Sequence, residues 1–545
     1  MNLLLLCRLL GLVAMLIGGS MAFSLPWAWL APDARWTHER AGFFALLGSM
    51  AICFAVGALL GYLGRRSDGQ LFRKEAMAVV GLSWILATVL GAFPFVLSDT
   101  QRGPDMPMSF VDAMFESQSG FSTTGATVLT DLEVHEDSDR PPLVPRCILF
   151  WRSSTHFLGG LGIIVLFVAI LGQGSAGKAL MRAEMPGPGQ ASPQTRMQHT
   201  AWVLFLLYAG LNAALTLLLL IEGLSPFDAL CHAFGTMATG GFSTYNDSVG
   251  HFGPTVQMTI VLFMLLAGTN FMLMYWVAIL RPKRMLADVE WRAYIGVILV
   301  VTVLVVAIGL YCGDFGSFSG MSATAAQKEA ALEEADDKNE GGGPPVATAV
   351  RHGLFQVVSI MTTTGFCTDN FDLWNSFGRG VLLILMFVGG CAGSTGGGLK
   401  VIRHILFFKI LRLEVEHAFR PSVVRPLRLA GKPVEDQELR RNILVYFGLI
   451  LAIFVLSWLF TITFEPDDTW TREGHQVEHK LIDAAGCVAA TLNNIGPGLG
   501  VIGATKSYTH FRWYTKILFI WLMMIGRLEI FVILVIFIPR FWRTQ

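Results

Sequence analysis

Four places in the sequence set hydroxyl, amide or small side chains beside glycine in a way that suits a dehydrated cation. They are Thr123-Thr124-Gly125, Ala238-Thr239-Gly240, Thr363-Thr364-Gly365 and Asn494-Ile495-Gly496. Glycine admits backbone angles that turn successive carbonyls one way, which a β-carbon often forbids. Carbonyls so aligned replace the hydration shell of an ion. One Thr-Gly pair is equally well explained by close helix packing or a helix end. Four copies, recurring at about 115 to 131 residues, favour a pathway shared by four loops.

The repeat extends upstream of the glycines. Ser109 and Asp112 precede Gly125, Ser225 and Asp228 precede Gly240, and Asp483 precedes Gly496, with the Asp 12 or 13 residues before the glycine. Ser followed by an acid three residues later starts a helix, because both satisfy or offset the N–H groups of the first turn. About twelve residues then carry a short helix roughly half way through a bilayer. Its C-terminal end, partially negative, faces the loop and favours cations. The third copy departs from this pattern, with His352 and Gly353 near the place of the acid.

Two further features are chemically unusual. The run Gly389-Gly390-Cys391-Ala392-Gly393-Ser394-Thr395-Gly396-Gly397-Gly398-Leu399-Lys400 is too rich in glycine to hold a regular helix well, each glycine costing about 1 kcal/mol against alanine. A glycine-rich packing face is the alternative. Arg527 lies deep within an apolar run, where a charge is expensive and usually serves a pathway; a buried ion pair, with Glu529 or another acid, is the alternative. Lys400 and His404, just past the glycine run, read as anchors for a helix end at the cytoplasmic interface.

The elements that position these residues are membrane spans. Of 545 residues, 53% are hydrophobic and 15% charged, against about 25% charged in a soluble domain. Apolar runs long enough to cross the bilayer fall near 3–25, 40–64, 75–98, 146–172, 199–222, 255–280, 293–312, 378–410, 442–464 and 513–538. This predicts an all-α integral membrane fold of ten transmembrane helices plus four re-entrant pore helices around one central pore. Two extra N-terminal spans (1–66) precede four pore-loop units, at 71–173, 195–283, 290–412 and 436–545. Basic residues gather on alternate connections, among them Arg65, Arg66, Lys74, Lys178, Arg182, Arg281, Lys283 and Arg284, and along Arg412 to Arg441. Acids gather opposite, including Glu133, Asp137, Glu333 and Asp337. Both termini are therefore expected in the cytoplasm. Residues 316–345 read as an external insertion. The eight cysteines are scattered and indicate neither a disulfide framework nor a zinc site. Zero net charge offers no argument for a nucleic-acid partner.

At this point the residues resemble the Trk/Ktr/HKT superfamily of potassium transporters, in its bacterial TrkH and TrkG branch, over nearly the whole chain. The resemblance rests most specifically on the Gly389–Lys400 run. It implies potassium uptake across a bacterial inner membrane, with potassium as substrate and no cofactor bound by this chain. It makes the residues named above at the four loops a selectivity filter, and Gly389, Gly390, Gly393, Ser394, Thr395, Gly396, Gly397 and Gly398 a gate loop with Arg527 beside it. In the plant branch, serine at the first filter glycine accompanies sodium preference, so glycine at all four positions points to potassium. The resemblance also implies a homodimer and a cytosolic TrkA-type nucleotide-binding regulatory subunit, since this chain carries no phosphate-binding loop of its own. The basic connection 412–441 offers that subunit a surface, or equally binds anionic membrane lipid.

Other functional classes fit less well. A secondary transporter for a small solute should show paired broken helices and midplane acids. A membrane enzyme needs a nucleophile, base or metal ligands facing one another, whereas His156 and His232 are isolated in sequence.

Overall fold

A computed structural model describes residues 1–29, 36–67, 72–132, 143–160, 162, 197–315, 346–420, 427–429, 432–434, 437–471, 477–528 and 530–543. Helices dominate. Two apolar helices, α1 (Leu3–Met21) and α2 (Trp36–Gly64), pack together at the N-terminus, with Gly11 and Gly57 bringing their backbones close. Four units follow, each a helix, a short helix, a loop and a returning helix. The first is α3 (Arg73–Leu97), α4 (Phe110–Phe121) and α5 (Arg146–Gly160). The second is α6 (Met197–Ile221), α7 (Pro226–Met237), α8 (Pro254–Ala267) and α9 (Phe271–Ala278). The third is α10 (Val289–Cys312), α11 (Val346–Met361), α12 (Ser376–Leu385) and α13 (Val401–Phe419). The fourth is α14 (Gln437–Phe464), α15 (Lys480–Leu492), α16 (Trp513–Arg527) and α17 (Ile530–Ile536). Two small antiparallel ladders, Gln101–Gly103 with Met106–Pro107 and Leu427–Leu429 with Lys432–Val434, lie in connections. Six of the described helices are long and apolar enough to cross a membrane, and α8 with α9 makes a seventh, bent span.

The short helices begin as their sequences dictate. Ser109 Oγ accepts from the Asp112 N–H at 3.2 Å, and the Asp112 carboxylate accepts from the Ser109 N–H at 3.2 Å, closing a capping box on α4. Ser225 caps α7 through the Asp228 N–H at 3.1 Å. α4 and α7 have 12 residues and α15 has 13, while α11 runs to 16 from Val346. The third unit thus enters with an extra turn and without the Ser/Asp start.

Two spans differ from their sequence-based expectation, and a third breaks at its glycine run as that run predicts. The run at 255–280 is not one helix: α8 and α9 meet at 106° across Gly268-Thr269-Asn270. The run at 513–538 breaks at Leu528, whose backbone is extended (φ −90°, ψ 158°). The run at 378–410 is helical as far as Leu385, and its outgoing half continues to Phe419. All three breaks lie beside the glycine-rich segment. Of span 146–172, only the part up to Gly160 and Gly162 is described; the rest, the insertion 316–345, and Glu529 lie outside the described residues.

The fourth unit is tied to the first by charge. Lys516 Nζ on α16 meets Asp112 Oδ1 at 2.5 Å, with side chains 2% and 3% exposed, and also donates to the Thr509 carbonyl at 2.9 Å. Removing one partner of a buried pair costs far more than the pair contributes, because the other charge stays buried. Lys516→Met should therefore lower stability by roughly 3 kcal/mol, read as a fall in the thermal midpoint of the detergent-solubilised chain. An unchanged midpoint would contradict this role.

Candidate cation pathway

Each short helix ends the same way. The residue two before a glycine of the repeat has left-handed backbone: Thr123 (φ 54°), Thr239 (56°), Thr363 (58°) and Asn494 (55°). Its N–H reaches back to the carbonyl three residues earlier: Gly120 (3.0 Å), Thr236 (3.1 Å), Ile360 (3.0 Å) and Thr491 (3.4 Å). The next N–H, from Thr124, Gly240, Thr364 or Ile495, reaches the carbonyl five residues earlier at 2.7–2.9 Å. This pair of bonds is the Schellman helix ending, which normally places glycine at the left-handed position. Threonine there is a real outlier, costing of order 1–3 kcal/mol, and such strain clusters at functional sites.

The following glycine is left-handed as well: Gly125 (φ 79°), Gly241 (79°), Gly365 (82°) and Gly496 (93°). In the second loop that residue is Gly241, so the register set from Gly240 is one residue early. Gly240 occupies the place of Thr124, Thr364 and Ile495, and Ala238 that of Ser122, Thr362 and Asn493. The corrected register makes the upstream spacing uniform: Asp112, Asp228 and Asp483 all stand thirteen residues before the glycine, and His352 holds that place in the third copy. His352 Nδ1 bonds to Thr368 Oγ1 at 3.0 Å, much as the Asp228 carboxylate accepts from Thr244 Oγ1 at 2.7 Å, each three residues past its glycine.

The four loops close on one another in cyclic order. A β-carbon on Gly125 would strike the carbonyl of Gly240, one on Gly241 that of Thr364, one on Gly365 that of Ile495, and one on Gly496 that of Thr124. All four glycines line a single cavity of about 160 Å³, with Arg152, Tyr245, Lys506 and Tyr508 among its walls.

Cross-loop bonds complete the circuit. Asn246 Nδ2 donates to Asp131 at 2.8 Å between the first and second loops, and Gly250 N donates to the Cys367 carbonyl at 3.0 Å between the second and third. Asp372 Oδ1 accepts from Gly500 N at 3.0 Å between the third and fourth, and Tyr508 N donates to the Thr127 carbonyl at 2.8 Å between the fourth and first. Asp372 lies in the connection after the third loop; burial raises its carboxyl pKa above the ordinary range, and the Gly500 N–H opposes that rise.

Sequence reading missed several braces behind this ring. The residue nine before each glycine is Glu116, His232, Gln356 or Cys487. Glu116 accepts from Val128 N (3.0 Å) and from Arg152 Nε (2.6 Å), and His232 Nε2 bonds to Ser243 Oγ (3.0 Å). Arg152 also donates to the Ser243 carbonyl at 3.0 Å and lies over the Phe242 ring. His156 is no isolated side chain: its Nδ1 bonds to the Gly120 carbonyl at 2.8 Å, Nε2 accepts from Phe242 N at 3.2 Å, and the two rings stack. The spacing of nine is visible only once Gly241 sets the register.

Directly beneath lies the glycine-rich segment, and every residue marked in it has a place. Its base is closed by Gly389 N to Leu399 O (2.7 Å) and Val401 N to Gly390 O (3.2 Å). Gly393, left-handed at φ 72°, accepts from Phe271 N at 3.0 Å, and Ser394 Oγ donates to the Cys391 carbonyl at 2.6 Å. Cys391 N and Thr395 N donate to the Gly268 and Ala267 carbonyls, at 2.9 and 3.3 Å, which the α8–α9 break leaves without helical partners. Gly397 N donates to Thr363 Oγ1 at 2.8 Å, joining the segment to the third loop, and Gly398 N donates to the Gly526 carbonyl at 3.2 Å. A side chain at Gly397 would collide with Asn494.

Two buried cations hold this segment. Arg527 donates to the Thr395 carbonyl and to the Gly159 and Gly160 carbonyls, the latter two at 2.5 and 2.8 Å. Lys400 is fully buried and donates to the Gly396 and Gly397 carbonyls. Lys400 therefore folds back onto the glycine segment rather than anchoring a helix end at the interface. His404 is half-buried and bonds to the Lys400 carbonyl at 3.2 Å. Among the described residues, no group of three or more His, Cys, Asp or Glu is placed to hold a metal ion.

Several helices long enough to cross a membrane, four short helices and four glycine loops in cyclic contact beside a glycine-rich segment define a multi-pass membrane transport protein. The comparisons agree. A family profile described as TrkH, cation transport protein, matches residues 44–544, and the chain belongs to that family. It is 35% identical to the Trk system potassium uptake protein TrkH of Salmonella typhimurium, over 98% of each chain. It is 30% identical to the Trk system potassium uptake protein TrkG of Escherichia coli, over 93% of each. Its fold matches the crystal structure of the potassium transporter TrkH from Vibrio parahaemolyticus with a TM-score of 0.77 and 31% identity, over the whole of both chains. The chain is a transport protein, not an enzyme.

The register correction has a direct test. Gly241→Ala forces a β-carbon into left-handed backbone and onto the Thr364 carbonyl, whereas Gly253, with open space around it, accepts one freely. Cation flux through reconstituted Gly241→Ala should fall by roughly tenfold or more, and through Gly253→Ala stay at the parent level. Equal flux in the two variants would contradict the corrected register.

Proposed function

We propose that this chain carries potassium ions inward across a bacterial inner membrane, through a filter formed by its four loops. The cyclic contact of each left-handed glycine (Gly125, Gly241, Gly365, Gly496) with a carbonyl of the next loop is the observation that carries this reading. The carbonyls of Thr124, Gly240, Thr364 and Ile495 supply the ion's ligands, with Thr123, Thr239, Thr363 and Asn494 at the inner end. Four helix C-termini converge there and favour a cation. Potassium as cargo follows from the names of the relatives, which are potassium uptake proteins.

Residues 389–398 act as the gate. The segment lies under the third and fourth loops, and Arg527, with Lys400 on the same segment, adds positive charge where a departing ion must pass. On this reading the loop must leave the axis for conduction. Ten spans and four pore helices, both termini cytoplasmic, and a homodimer complete the proposal. Control by nucleotide falls to a cytosolic TrkA-type subunit, docked on the basic connections; lipid contacts the apolar faces.

Flux of potassium and sodium into liposomes holding the purified chain tests the filter. Gly125→Ser places a side chain against the Gly240 carbonyl and should lower the potassium-to-sodium flux ratio by roughly tenfold. An unchanged ratio in a well-folded variant would refute the filter assignment.

A further inference from the structure

One carboxylate oxygen holds both ends of the glycine-rich segment. Glu290 Oε1 accepts from Ala392 N at 2.7 Å and from Ile402 N at 3.0 Å, and the residue is 8% exposed. Ala392 lies near the entry of the segment and Ile402 just past its exit, so the intervening residues, including Gly396 to Gly398 under the filter, form a loop pinned at its neck. The segment's other bonds reach the pathway walls at Ala267, Gly268, Thr363 and Gly526. This attachment differs from those in placing two N–H groups, one from each end of the segment, on a single side-chain oxygen.

Glu290 belongs to the first turn of α10, and its neighbour Asp288 caps that helix through the Trp291 N–H at 2.9 Å. Immediately before it, residues 279–288 form a turn containing the one-turn helix Lys283–Leu286, with Arg281, Lys283 and Arg284 exposed and the Arg284 guanidinium over Trp276. The helix on the other side of that turn, α9, begins with Phe271, whose N–H donates to Gly393 O. Both legs of one hairpin therefore grip the segment, and the tip between them is basic and exposed.

We infer that Glu290 is the positioning residue that ties the gate segment to the basic turn 279–288, so that displacement of the turn moves the segment out of the pathway. This rests on the reading of residues 389–398 as the gate. Loss of the two bonds frees the neck and biases the segment toward the open arrangement. Gln keeps an acceptor oxygen of the same reach; Ala keeps none.

The test uses the full chain in liposomes, comparing the parent, Glu290→Ala, Glu290→Gln and a deletion of residues 396–398. Potassium flux through Glu290→Ala should rise roughly tenfold with the potassium-to-sodium ratio unchanged, while Glu290→Gln stays within about twofold of the parent. Thiol labelling of Cys391, fully buried beside Ala392, should accelerate in Glu290→Ala when read by peptide mass spectrometry. Should Glu290→Ala not fold, Glu290→Asp, one methylene too short to span both N–H groups, carries the same expectation. If the deletion raises flux and Glu290→Ala does not, the Glu290 assignment falls and the gate stands. If neither raises flux, the gate reading falls with it, and a changed ion ratio in Glu290→Ala would place its effect on the filter and overturn the inference.

Discussion

Backbone N–H and C=O groups at membrane depth have no water to bond, so every interruption of a helix must be satisfied by another part of the protein. Here the interruptions satisfy one another. The α8–α9 break exposes the Ala267 and Gly268 carbonyls, and the glycine-rich segment brings Thr395 and Cys391 N–H groups to them. The segment's own carbonyls at Thr395, Gly396 and Gly397 take the Arg527 and Lys400 side chains. The short helices end in paired bonds, and a carbonyl of each following loop lies against the left-handed glycine of its neighbour. The irregular backbone of the four loops, the α8–α9 break and the glycine-rich segment is therefore gathered in one place.

That arrangement also accounts for the strain. Three threonines and an asparagine hold left-handed backbone that glycine would adopt at no steric cost. At two of the four, glycine would remove a side chain that bonds to its surroundings: Thr363 Oγ1 accepts from the Gly397 N–H of the glycine-rich segment, and Asn494 Nδ2 donates to Thr124 Oγ1 and the Met523 carbonyl, each at 2.8 Å. Thr363 and Asn494, two of the strained residues, are thus where the proposed filter and the proposed gate touch.

Much of this was legible in the chain. The Ser-x-x-Asp starts, the upstream spacing and the four glycines are local patterns, and they located α4, α7 and α15 well. The second loop was misaligned because Gly240 and Gly241 are adjacent and composition alone does not tell which is left-handed; the uniform thirteen-residue spacing from Asp228 does. The break within 255–280 is hard to read because Gly268-Thr269-Asn270 is too brief an interruption to divide a run long enough to span, and the groups that stabilise the break lie more than a hundred residues away. Lys400 was misread for the same reason. A lysine beside a helix start ordinarily faces water, and only the fold brings it onto the Gly396 and Gly397 carbonyls.

The central claim is that the Thr124, Gly240, Thr364 and Ile495 carbonyls jointly bind the transported ion. Anomalous diffraction from crystals of this chain grown in rubidium or thallium salts measures that directly. The account predicts an ion peak on the axis enclosed by those four carbonyls, inside the Gly125, Gly241, Gly365 and Gly496 ring. Ion density confined to the outer cavity, or no peak within the ring, would contradict it.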